Sequence, residues 1–453
     1  MRRAGAVLAD APAGVSAQPA RAPVVVLGGG VSGLVAADML ADAGERVILL
    51  EPYDRLGGNQ RSANIGPYTF DIGSFVFFSG SPFFRRFPGA EAVCQPARIV
   101  VDRITPQRRI SRYPFSVPED LLRRGPVEVA RTALSLAWGR IADRAPTSAG
   151  SFARYYLGRR LFVESGLEAY IERLCGIPAD QVEHQFAEKR MNWIARALSL
   201  ETAAGLVRPK RDAAPAPTVL VRPRQGFTHL YDQVAAQLRA KGVSIRLGAS
   251  LTKIERVAGG FEVSIKGGVV KAARVISSLP LTLTAQACGL TPPPIIQSLP
   301  LLSLYVAYEG DLGFPSEVLY NFSPTGSWKR LTVHSRVYGK VDGREYLSVE
   351  APLARGPSAP ADEFAAFLAF MREHGLMTGK ATLVGHDRTD FAYPTYAHGS
   401  MAASEALIDA VEATGVEMLG RQGRFDYIPT SSRATELVAE RLGRTGKEGA
   451  AVR

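Results

Sequence analysis

Residues 24–33 read VVVLGGGVSG, and this short stretch decides the fold of the chain. Its apolar half, Val24–Leu27, is bounded by Pro and Gly residues and predicts a buried parallel strand. The apolar spacing of residues 31–43 predicts a helix that ends at Gly44, and residues 46–51 predict a second buried strand. The sequence therefore predicts a β-α-β unit, whose crossover is expected to be right-handed.

The glycines of this stretch fit the pattern G-x-G-x-x-G between a strand and a helix, which is the context that dinucleotide binding requires. Gly28 makes the tight turn, Gly30 lets the backbone approach a pyrophosphate, and Gly33 lets the helix pack closely on the strand. Val31 and Ser32 open the helix, where free N–H groups and a partial positive charge attract phosphate. We therefore expect an α/β fold with a Rossmann-type dinucleotide site.

The segment after the second strand distinguishes between dinucleotides. Glu51 ends that strand 18 residues after Gly33, and its carboxylate can accept hydrogen bonds from ribose hydroxyls and would repel a 2′-phosphate. Gly57 and Gly58, followed by Asn59, resemble the extension with which flavoproteins of the glutathione-reductase type approach the phosphates of their cofactor. No second G-x-G-x-x-G follows, so a separate NAD(P)H domain is not expected. The predicted cofactor is FAD.

The chain of 453 residues is long enough for more than one hydrophobic core. Its β/α pattern is interrupted by two insertions, one mainly helical and one resembling an antiparallel sheet. We predict a glutathione-reductase-like FAD-binding domain with an inserted helical and antiparallel-sheet substrate domain. The predicted boundaries are a flexible tail at 1–22, a discontinuous FAD-binding domain at 23–82, 222–290 and 385–443, a helical insertion at 83–221, a substrate sheet at 291–384 and a tail at 444–453.

Three local features of the insertions carry expectations of their own. Residues 127–141 have an apolar face, for which packing in the core is favoured over contact with a membrane surface. Residues 330–336 resemble a sheet strand that would carry Arg336, a weaker site candidate. The basic residues 207–211 lie in a proline-rich stretch and predict an exposed loop, which is either solvated or in contact with an anionic membrane or partner.

Composition and charge limit the classes of partner. Hydrophobic residues make up 46% and charged residues 21% of the chain, which is typical of a globular protein. The net charge of +11 favours acidic partners such as phosphorylated substrates or anionic lipid, although a plain solvated surface is the simpler explanation. Because no nucleic-acid module or zinc spacing occurs, we expect a small-molecule substrate and no nucleic-acid partner.

Cysteines indicate the cellular compartment, histidines bear on metal and catalytic sites, and apolar runs bear on membrane spans. The three cysteines are far apart and odd in number, so we expect no disulfide framework, no metal cluster and a reducing, cytoplasmic compartment. The six histidines are scattered, and no metal site or Ser-His-Asp arrangement stands out. No run of about 18 apolar residues occurs, so we expect no membrane-spanning segment. The oligomeric state is not readable from the sequence.

Six further segments extend the pattern beyond the dinucleotide site. They are Tyr68–Gly73, Tyr170–Gly176 with Arg190 after it, Pro223–Phe227 with Arg224, Ser277–Pro280, Tyr393-Pro394 and Gly420–Tyr427. With these segments the chain resembles the amine-oxidase and protoporphyrinogen-oxidase group of flavoproteins, and among them most closely the UDP-galactopyranose-mutase branch, over residues 23–442. The last segment is the most specific of the six, since it is similar to the C-terminal G-R-x-G-x-F/Y-x-Y flavin motif of that group.

The resemblance implies a flavin contact at the C-terminal motif. The residues expected there are Gly420, Arg421, Tyr427, Thr430 and Ser431. Backbone N–H groups and the N-terminus of a following helix, predicted over 432–442 with Ser431 or Ser432 as its cap, would stabilise the negative charge of the reduced ring.

The resemblance also implies where the substrate is handled. Arg224 belongs to a turn that lies near the flavin in this group, and Tyr393 matches a tyrosine that faces the substrate in the mutases. The candidate catalytic residues are Arg190, Tyr393 and Arg421, and for Arg421 contact with either the cofactor or a substrate anion is expected.

Departures from the mutase pattern change the expected substrate. The mutases carry a G-x-H-x-F-H segment over the flavin, whereas Gly73–Phe78 has Phe75 and Phe78 in place of the two histidines. The arginine of the mutase R-S-L segment is matched by Leu302, and an acidic residue after the C-terminal tyrosine is matched by Pro429. A phenylalanine-lined pocket implies a more apolar substrate, or an apolar portion of one.

Three functions remain open from the sequence. The first is an FAD-dependent oxidoreductase that oxidises a small or amphipathic metabolite by hydride transfer to flavin N5, in a biosynthetic pathway. The second is a redox-neutral isomerase of a sugar nucleotide that uses reduced FAD, as in the mutases. The third is a non-catalytic partner protein stabilised by FAD. Fold resemblance alone does not choose among them.

Overall fold

The computed structural model describes residues 22–73, 75–115, 117–120, 125–197, 219–354 and 356–451. In chain order the strands are β1 (Val24–Leu27), β2 (Val47–Glu51), β3 (Arg61–Ile65), β4 (Tyr68–Ile72), β5 (Val76–Phe78), β6 (Gln95–Ala97), β7 (Val101–Ile104), β8 (Ile110–Arg112), β9 (Val219–Val221), β10 (Ser244–Leu247), β11 (Leu251–Val257), β12 (Gly260–Ile265), β13 (Gly268–Ala272), β14 (Arg274–Ser277), β15 (Ser298–Glu309), β16 (Val318–Asn321), β17 (Arg330–Val333), β18 (Glu345–Pro352), β19 (Lys380–Pro394) and β20 (Val416–Met418).

The helices, again in chain order, are α1 (Val31–Asp42), α2 (Pro82–Arg86), α3 (Pro88–Ala92), α4 (Val117–Asp120), α5 (Pro126–Ala142), α6 (Ala149–Glu164), α7 (Leu167–Cys175), α8 (His184–Ala197), α9 (Phe227–Ala240), α10 (Leu281–Ala287), α11 (His334–Tyr338), α12 (Pro360–Glu373), α13 (Ser400–Ala413), α14 (Gly420–Gly423) and α15 (Ser431–Ala451). A 3₁₀ turn lies at Ala179–Gln181.

A five-stranded parallel sheet forms the centre of the nucleotide-binding part. Its strand order is β10-β2-β1-β14-β20, and each neighbouring pair is parallel. β1 and β2 are buried along their whole length, as the apolar runs predicted. The C-terminal helix α15 buries Val438 in the same apolar cluster as Leu34 and Val35 of α1. The predicted Rossmann-type α/β fold is confirmed.

A seven-stranded sheet of order β19-β15-β18-β17-β16-β7-β8 lies beside this unit. All its pairs are antiparallel except β16 with β7. Along β15 the side chains of Leu302, Leu304 and Val306 enter an apolar cluster that also contains residues of α12, whereas Tyr305 joins the apolar cluster of the nucleotide-binding part. Because strand residues alternate between faces, one face of this sheet is turned toward the cofactor-binding part.

Helices α6, α7 and α8 pack the helical insertion against the parallel sheet. Phe152, Leu161, Leu174 and Phe186 are buried in one apolar cluster that continues to Val25 of β1. The helical segment therefore shares its core with the parallel sheet. Residues 1–21 and the basic segment 207–211 lie outside the described residues.

Two sheet segments fall outside the places that the sequence predicted for them. Residues 385–394, placed in the FAD-binding domain, are part of the edge strand β19, which pairs with β15. β7 and β8 belong to the insertion predicted to be mainly helical, yet they complete the seven-stranded sheet. Both insertions thus contribute to one sheet, because pairing between strands distant in sequence is not a local property. The remaining domain boundaries stay predictions.

The sequence predicted a strand over residues 330–336, but the strand ends before Arg336. The strand β17 ends at Val333, and Arg336 lies in the short helix α11. Its guanidinium donates 2.6 Å hydrogen bonds to the carbonyls of Phe314 and Ser316. These two bonds tie the helical turn to a neighbouring loop and override the strand preference of a Val- and Tyr-containing segment.

Helix α5 turns its apolar face outward, contrary to the prediction that residues 127–141 pack in the core. Leu134 is 72% and Trp138 68% exposed, whereas the buried positions of this helix are Thr132 and Gly139. A side chain at Gly139 would put its Cβ 2.3 Å from a carbonyl oxygen of α6, so small residues face inward. Among the residues described, none of the helices is long and apolar enough to cross a membrane.

The last helix starts one residue earlier than predicted and is capped by a different hydroxyl. Thr430 Oγ1 accepts a 3.1 Å hydrogen bond from the N–H of Arg433, so Thr430 is the N-cap in place of Ser431 or Ser432. The helix continues to Ala451, into the segment predicted to be a tail.

Candidate functional site

The glycine loop after β1 leaves a gap that is lined by backbone. Gly28 has φ +99°, and a Cβ at Gly33 would lie 1.8 Å from the Gly28 carbonyl oxygen, so both positions require glycine. Gly30 faces Gly58 across the gap: a Cβ at Gly58 would lie 3.2 Å from the Gly30 Cα. Gly30 is also the N-cap of α1, whose first N–H groups lack partners within the helix. The predicted residues Gly28, Gly30, Val31, Ser32, Gly33 and Gly58 therefore come together here.

Glu51 closes the same loop from the end of β2. Its carboxylate accepts hydrogen bonds from the Gly29 N–H at 2.5 Å and from the Tyr53 N–H at 2.9 Å. The side chain is 3% exposed, and this burial raises its pKa although the two backbone bonds and Arg61 act in the opposite direction. Glu51 thus fixes the turn that precedes the glycine gap, and its predicted contact with ribose hydroxyls stays a prediction.

The C-terminal motif meets this loop directly. Gly420 has φ +76°, and a Cβ there would lie 2.6 Å from the Ser32 Oγ at the start of α1. Only glycine allows the two segments to approach so closely. The structure therefore joins Gly420, predicted at the flavin, to Ser32, predicted at the phosphates. Gly57 also requires glycine, since it has φ +113° and a Cβ would lie 2.3 Å from the Gln60 carbonyl oxygen.

The end of β19 is held by both loops. Arg421 donates a 3.1 Å hydrogen bond to the Ala392 carbonyl, and Gln422 donates a 2.6 Å bond to the Phe391 carbonyl. The Asn59 amide lies 3.5 Å from the same Phe391 oxygen. These bonds fix the backbone beside Tyr393, so the position of this predicted substrate-facing tyrosine depends on the C-terminal motif and on Asn59.

FAD fits this arrangement on two observations. The Gly30–Gly58 gap lets backbone approach a ligand without side chains between them, as a pyrophosphate requires. Arg61 is 6% exposed, stacks 3.8 Å from the centre of the Tyr53 ring, and its Nε has no hydrogen-bond partner among the residues described. A buried cation with an unused donor favours an anionic ligand. Within the described ranges, no group of three His, Cys, Asp or Glu residues is placed to hold a metal ion.

Asp71–Gly73, which we call the D-x-G segment, is held in place by an arginine that the sequence did not single out. Asp71 accepts a 2.6 Å hydrogen bond from Arg222 Nε and a 2.8 Å bond from Ser62 Oγ. Both charged side chains are 1% exposed or less. Arg224, which was predicted at the cofactor, is exposed, and its carbonyl accepts a bond from Arg222. The buried arginine of this turn is therefore Arg222, two residues earlier.

Tyr393 belongs to a buried charged cluster at the edge of the seven-stranded sheet. Its hydroxyl accepts a hydrogen bond from Lys329, whose ammonium also lies 2.8 Å from the Glu350 carboxylate. Arg330 pairs with the other oxygen of Glu350. Arg421 lies 5.6 Å from the centre of the Tyr393 ring, and its Nε has no partner in the part of the chain described. Three cations and one carboxylate thus surround the tyrosine.

Burial and pairing set the charge states of this cluster. Burial opposes ionisation of Glu350, but Arg330 and Lys329 outweigh it and hold the Glu350 pKa at about 2. Burial lowers the pKa of Lys329, which Glu350 only partly offsets. Burial, assisted by Glu350, raises the pKa of Tyr393 to about 12. At neutral pH Tyr393 is therefore a neutral hydroxyl held in a net positive environment.

Arg190 lies at a second, more apolar part of the site. It donates a 2.8 Å hydrogen bond to the Tyr170 hydroxyl, and its guanidinium lies 4.9 Å from the centre of the Tyr427 ring. Burial alone would lower the pKa of Arg190, but the neighbouring tyrosine hydroxyls raise it, so the side chain remains a cation. Arg190 and Tyr427, both predicted from motifs, are thus brought together.

A cavity of about 110 Å³ opens beside Arg190. Most of its lining is aliphatic or aromatic, and includes Tyr113, Leu167, Ile171, Leu174, Phe186 and Phe322. The two phenylalanines that replace the mutase histidines do not line it: Phe75 packs against His334 at 6.0 Å between ring centres, and Phe78 is 41% exposed. This cavity is therefore not the pocket predicted from Gly73–Phe78, since most of its lining lies in α7 and α8.

Two other predicted cofactor residues lie at the start of α15. Thr430 is exposed, and its hydroxyl serves as the helix cap. Ser431 is partly buried, and its carbonyl accepts a 2.9 Å bond from the Thr435 hydroxyl. Their contact with FAD stays a prediction.

Sequence reasoning missed Lys329, Arg330 and Glu350. The signal available was charge inside predicted strands: Arg330 and Glu350 alternate with apolar residues, so period-2 spacing places them on the face opposite Leu331 and Val349. Leu302, which matches the missing mutase arginine, is a buried member of the apolar cluster on that opposite face.

Family models and known proteins match parts of this chain. Residues 26–87 match the NAD(P)-binding Rossmann-like domain, and residues 112–352, just over half of the chain, match the flavin containing amine oxidoreductase family. The carotenoid 3,4-desaturase of Haloarcula japonica is 42% identical over 64 residues, which are 14% of this chain and 13% of that protein. A prolycopene isomerase of an Oncidium hybrid cultivar is 46% identical over 57 residues, or 13% of this chain and 10% of the isomerase.

Solved structures share the fold over nearly the whole chain. Reduced UDP-galactopyranose mutase has a TM-score of 0.75 and 20% identity, with 93% of this chain and 94% of the mutase covered. A putative protoporphyrinogen oxidase from an Exiguobacterium species has a TM-score of 0.71 and 16% identity, with 95% and 100% covered. By its match over residues 112–352, the chain belongs to the flavin containing amine oxidoreductase family.

Proposed function

We propose that the chain is an FAD-dependent oxidoreductase that oxidises a small, amphipathic metabolite. The observation that carries this proposal is the cavity beside Arg190, which combines an apolar wall with one half-buried cation and lies next to Tyr427 of the predicted flavin motif. Such a cavity suits a substrate with an apolar body and a polar or anionic end. A cytoplasmic location and a place in a biosynthetic pathway stay predictions.

The residues present supply binding and orientation. Gly30, Gly58 and the N-terminus of α1 would hold the pyrophosphate of FAD, and the segment Gly420–Tyr427 would lie at its ring. Arg190 would hold the polar end of the substrate. Tyr393 would form a hydrogen bond with a polar group of the substrate near the reacting carbon. Bound FAD would supply the redox chemistry, accepting a hydride from a substrate carbon while a second hydrogen leaves the substrate as a proton.

An anaerobic absorbance titration of the FAD-loaded protein tests this proposal. Amines and isoprenoid metabolites are added in turn, followed by UDP-sugars. Loss of the oxidised flavin band with a substrate alone, and its return on admission of oxygen or another acceptor, is the expected result. A flavin that no substrate bleaches, but that dithionite reduces, would contradict it.

A second candidate is a redox-neutral isomerase acting on a sugar nucleotide, and one observation favours it. Leu302 stands where an arginine is expected for diphosphate binding. Two other cations are available, since Arg330 is the first residue of β17 and Lys329 directly precedes it. With Arg421 they give the cluster an excess of positive charge over Glu350. A shift of the flavin band with UDP-galactose without bleaching, and turnover only after reduction, would favour this function over oxidation.

A further inference from the structure

Helix α5 presents a surface that neither the proposed site nor the packing of the described residues uses. Val127, Leu134, Trp138 and Ile141 are 62%, 72%, 68% and 69% exposed. Every other exposed residue of this helix is Pro or Ala, except Arg131 and Arg140. At 3.6 residues per turn the four large side chains lie within an arc of about 60°. We call this stripe the α5 face.

The inner side of the helix explains why the large residues stay outside. Gly139 packs on the backbone of α6, and a Cβ at Gly158 would lie 2.6 Å from the Leu136 nitrogen. The ion pair of Glu128 with Arg160 and the 3.0 Å bond from the Arg160 N–H to Ser135 fasten the two helices. The contact between α5 and α6 is thus too close for a Leu or Trp side chain, so the orientation of the α5 face is fixed by packing.

We propose that the α5 face is a docking surface for a lipid bilayer with anionic headgroups. Charge complementarity selects this partner: residues 125–165 contain six arginines and three acidic residues, a net charge of +3. Each acid pairs with an arginine: Glu128 with Arg131 and Arg160, Asp143 with Arg154, and Glu164 with Arg160.

Arg131 is exposed and borders the stripe on α5, about 20° beyond its edge at 3.6 residues per turn. Arg144 and Arg159 are exposed, and Arg140 stacks 4.4 Å from the centre of the Tyr155 ring. An exposed stripe of Leu, Ile and Trp bordered by arginine is the pattern of a helix that lies in the plane of a membrane interface. A second copy of the chain fits less well, because a single narrow stripe falls short of the about 800 Å² per partner that a stable interface buries.

The test uses the full FAD-loaded chain and vesicle co-sedimentation. Vesicles of phosphatidylcholine alone are compared with vesicles that contain about 30% phosphatidylserine. We expect wild-type binding at least about tenfold stronger to the anionic vesicles, and a shift of tryptophan emission to shorter wavelength that Trp138→Phe removes. The double variant Leu134→Glu/Trp138→Glu should lose binding by about tenfold or more.

Matched variants separate the contribution of the α5 face to vesicle binding from that of the net charge of the protein. Val257→Glu/Val269→Glu makes the same charge change at exposed positions of the hairpin β11–β13 and should bind as wild type does. Arg144→Gln/Arg159→Gln should remove most of the preference for phosphatidylserine. Equal binding by wild type and Leu134→Glu/Trp138→Glu would overturn the proposal. So would a dimer in light scattering that Leu134→Glu dissociates without any vesicle binding by the wild type.

Discussion

The guanidinium of Arg222 lies 2.6 Å from the Asp71 carboxylate, and neither side chain is more than 1% exposed. Arg222 also donates to the carbonyls of Thr69, Pro223 and Arg224, at 2.8–3.0 Å. The pair therefore locks the strand end that carries the D-x-G segment to the turn before α9. Its burial makes the loss of one partner costly, since the other charge would remain without compensation.

Arg222→Met should lower the free energy of unfolding by about 3–5 kcal/mol, because it leaves the Asp71 carboxylate buried and unpaired. Urea denaturation followed by circular dichroism measures this change. Arg224→Gln is the matched control, since Arg224 is exposed and its replacement should stay within about 0.5 kcal/mol of wild type. A loss below about 1 kcal/mol for Arg222→Met would show that the pair does not stabilise the turn.

Gly30→Ala should weaken FAD binding by roughly tenfold to a hundredfold, because its Cβ enters the gap through which the backbone approaches the pyrophosphate. In the protein alone that Cβ meets only the Gly58 Cα, at an ordinary 3.7 Å, so the apoprotein should remain folded. Titration of apoprotein with FAD gives the affinity. Gly268→Ala, in open space on the hairpin of β12 and β13, should bind FAD as wild type does; an equal affinity for Gly30→Ala would contradict the assigned role.

The elements that the sequence predicted well are those with local causes. Val24–Leu27, Gly28–Gly33 and the strand ending at Glu51 are apolar runs and turns whose meaning lies within a few residues. The charged cluster could not be found in this way, because Lys329 and Tyr393 meet only through the sheet that joins β17 to β19. Strand pairing over such separations depends on topology, which a single sequence does not reveal.

The direction in which a side chain points is a second property, after strand pairing, that the sequence did not determine. Arg222 and Arg224 flank Pro223, and strand geometry alone does not say which of them turns inward. The same ambiguity affected α5, where spacing identified an apolar face but not its partner. Only the contact of Gly139 and Gly158 with the neighbouring helix shows that the small residues face the core.

Tyr393→Phe should lower kcat/KM for the substrate that bleaches the flavin by roughly tenfold to a hundredfold, or about 1.4–2.8 kcal/mol. The reason is that it removes the hydroxyl held by Lys329 while keeping the ring beside Arg421. Stopped-flow flavin reduction measures the effect, and the FAD content should not change. Tyr308→Phe is the control, since its buried hydroxyl bonds to Asp311 and Gly379 on the other face of the sheet. A comparable loss in both variants would assign the effect to sheet stability.

Acid should destabilise the fold through His334, which is completely buried in helix α11. Burial lowers its pKa from 6.5 to about 4, although Asp71, 3.6 Å away, acts in the opposite direction. Because the unfolded chain takes up the proton first, the stabilising contribution is complete above pH 6.5 and is lost as the pH falls toward 4. Between pH 7.5 and 5 the loss amounts to about 2 kcal/mol.

Guanidinium denaturation at these two pH values should show this loss in wild type and in the control His386→Gln, whose histidine is exposed. The loss should be smaller in His334→Gln. If His334→Gln lost stability with the wild-type slope, another group would be responsible.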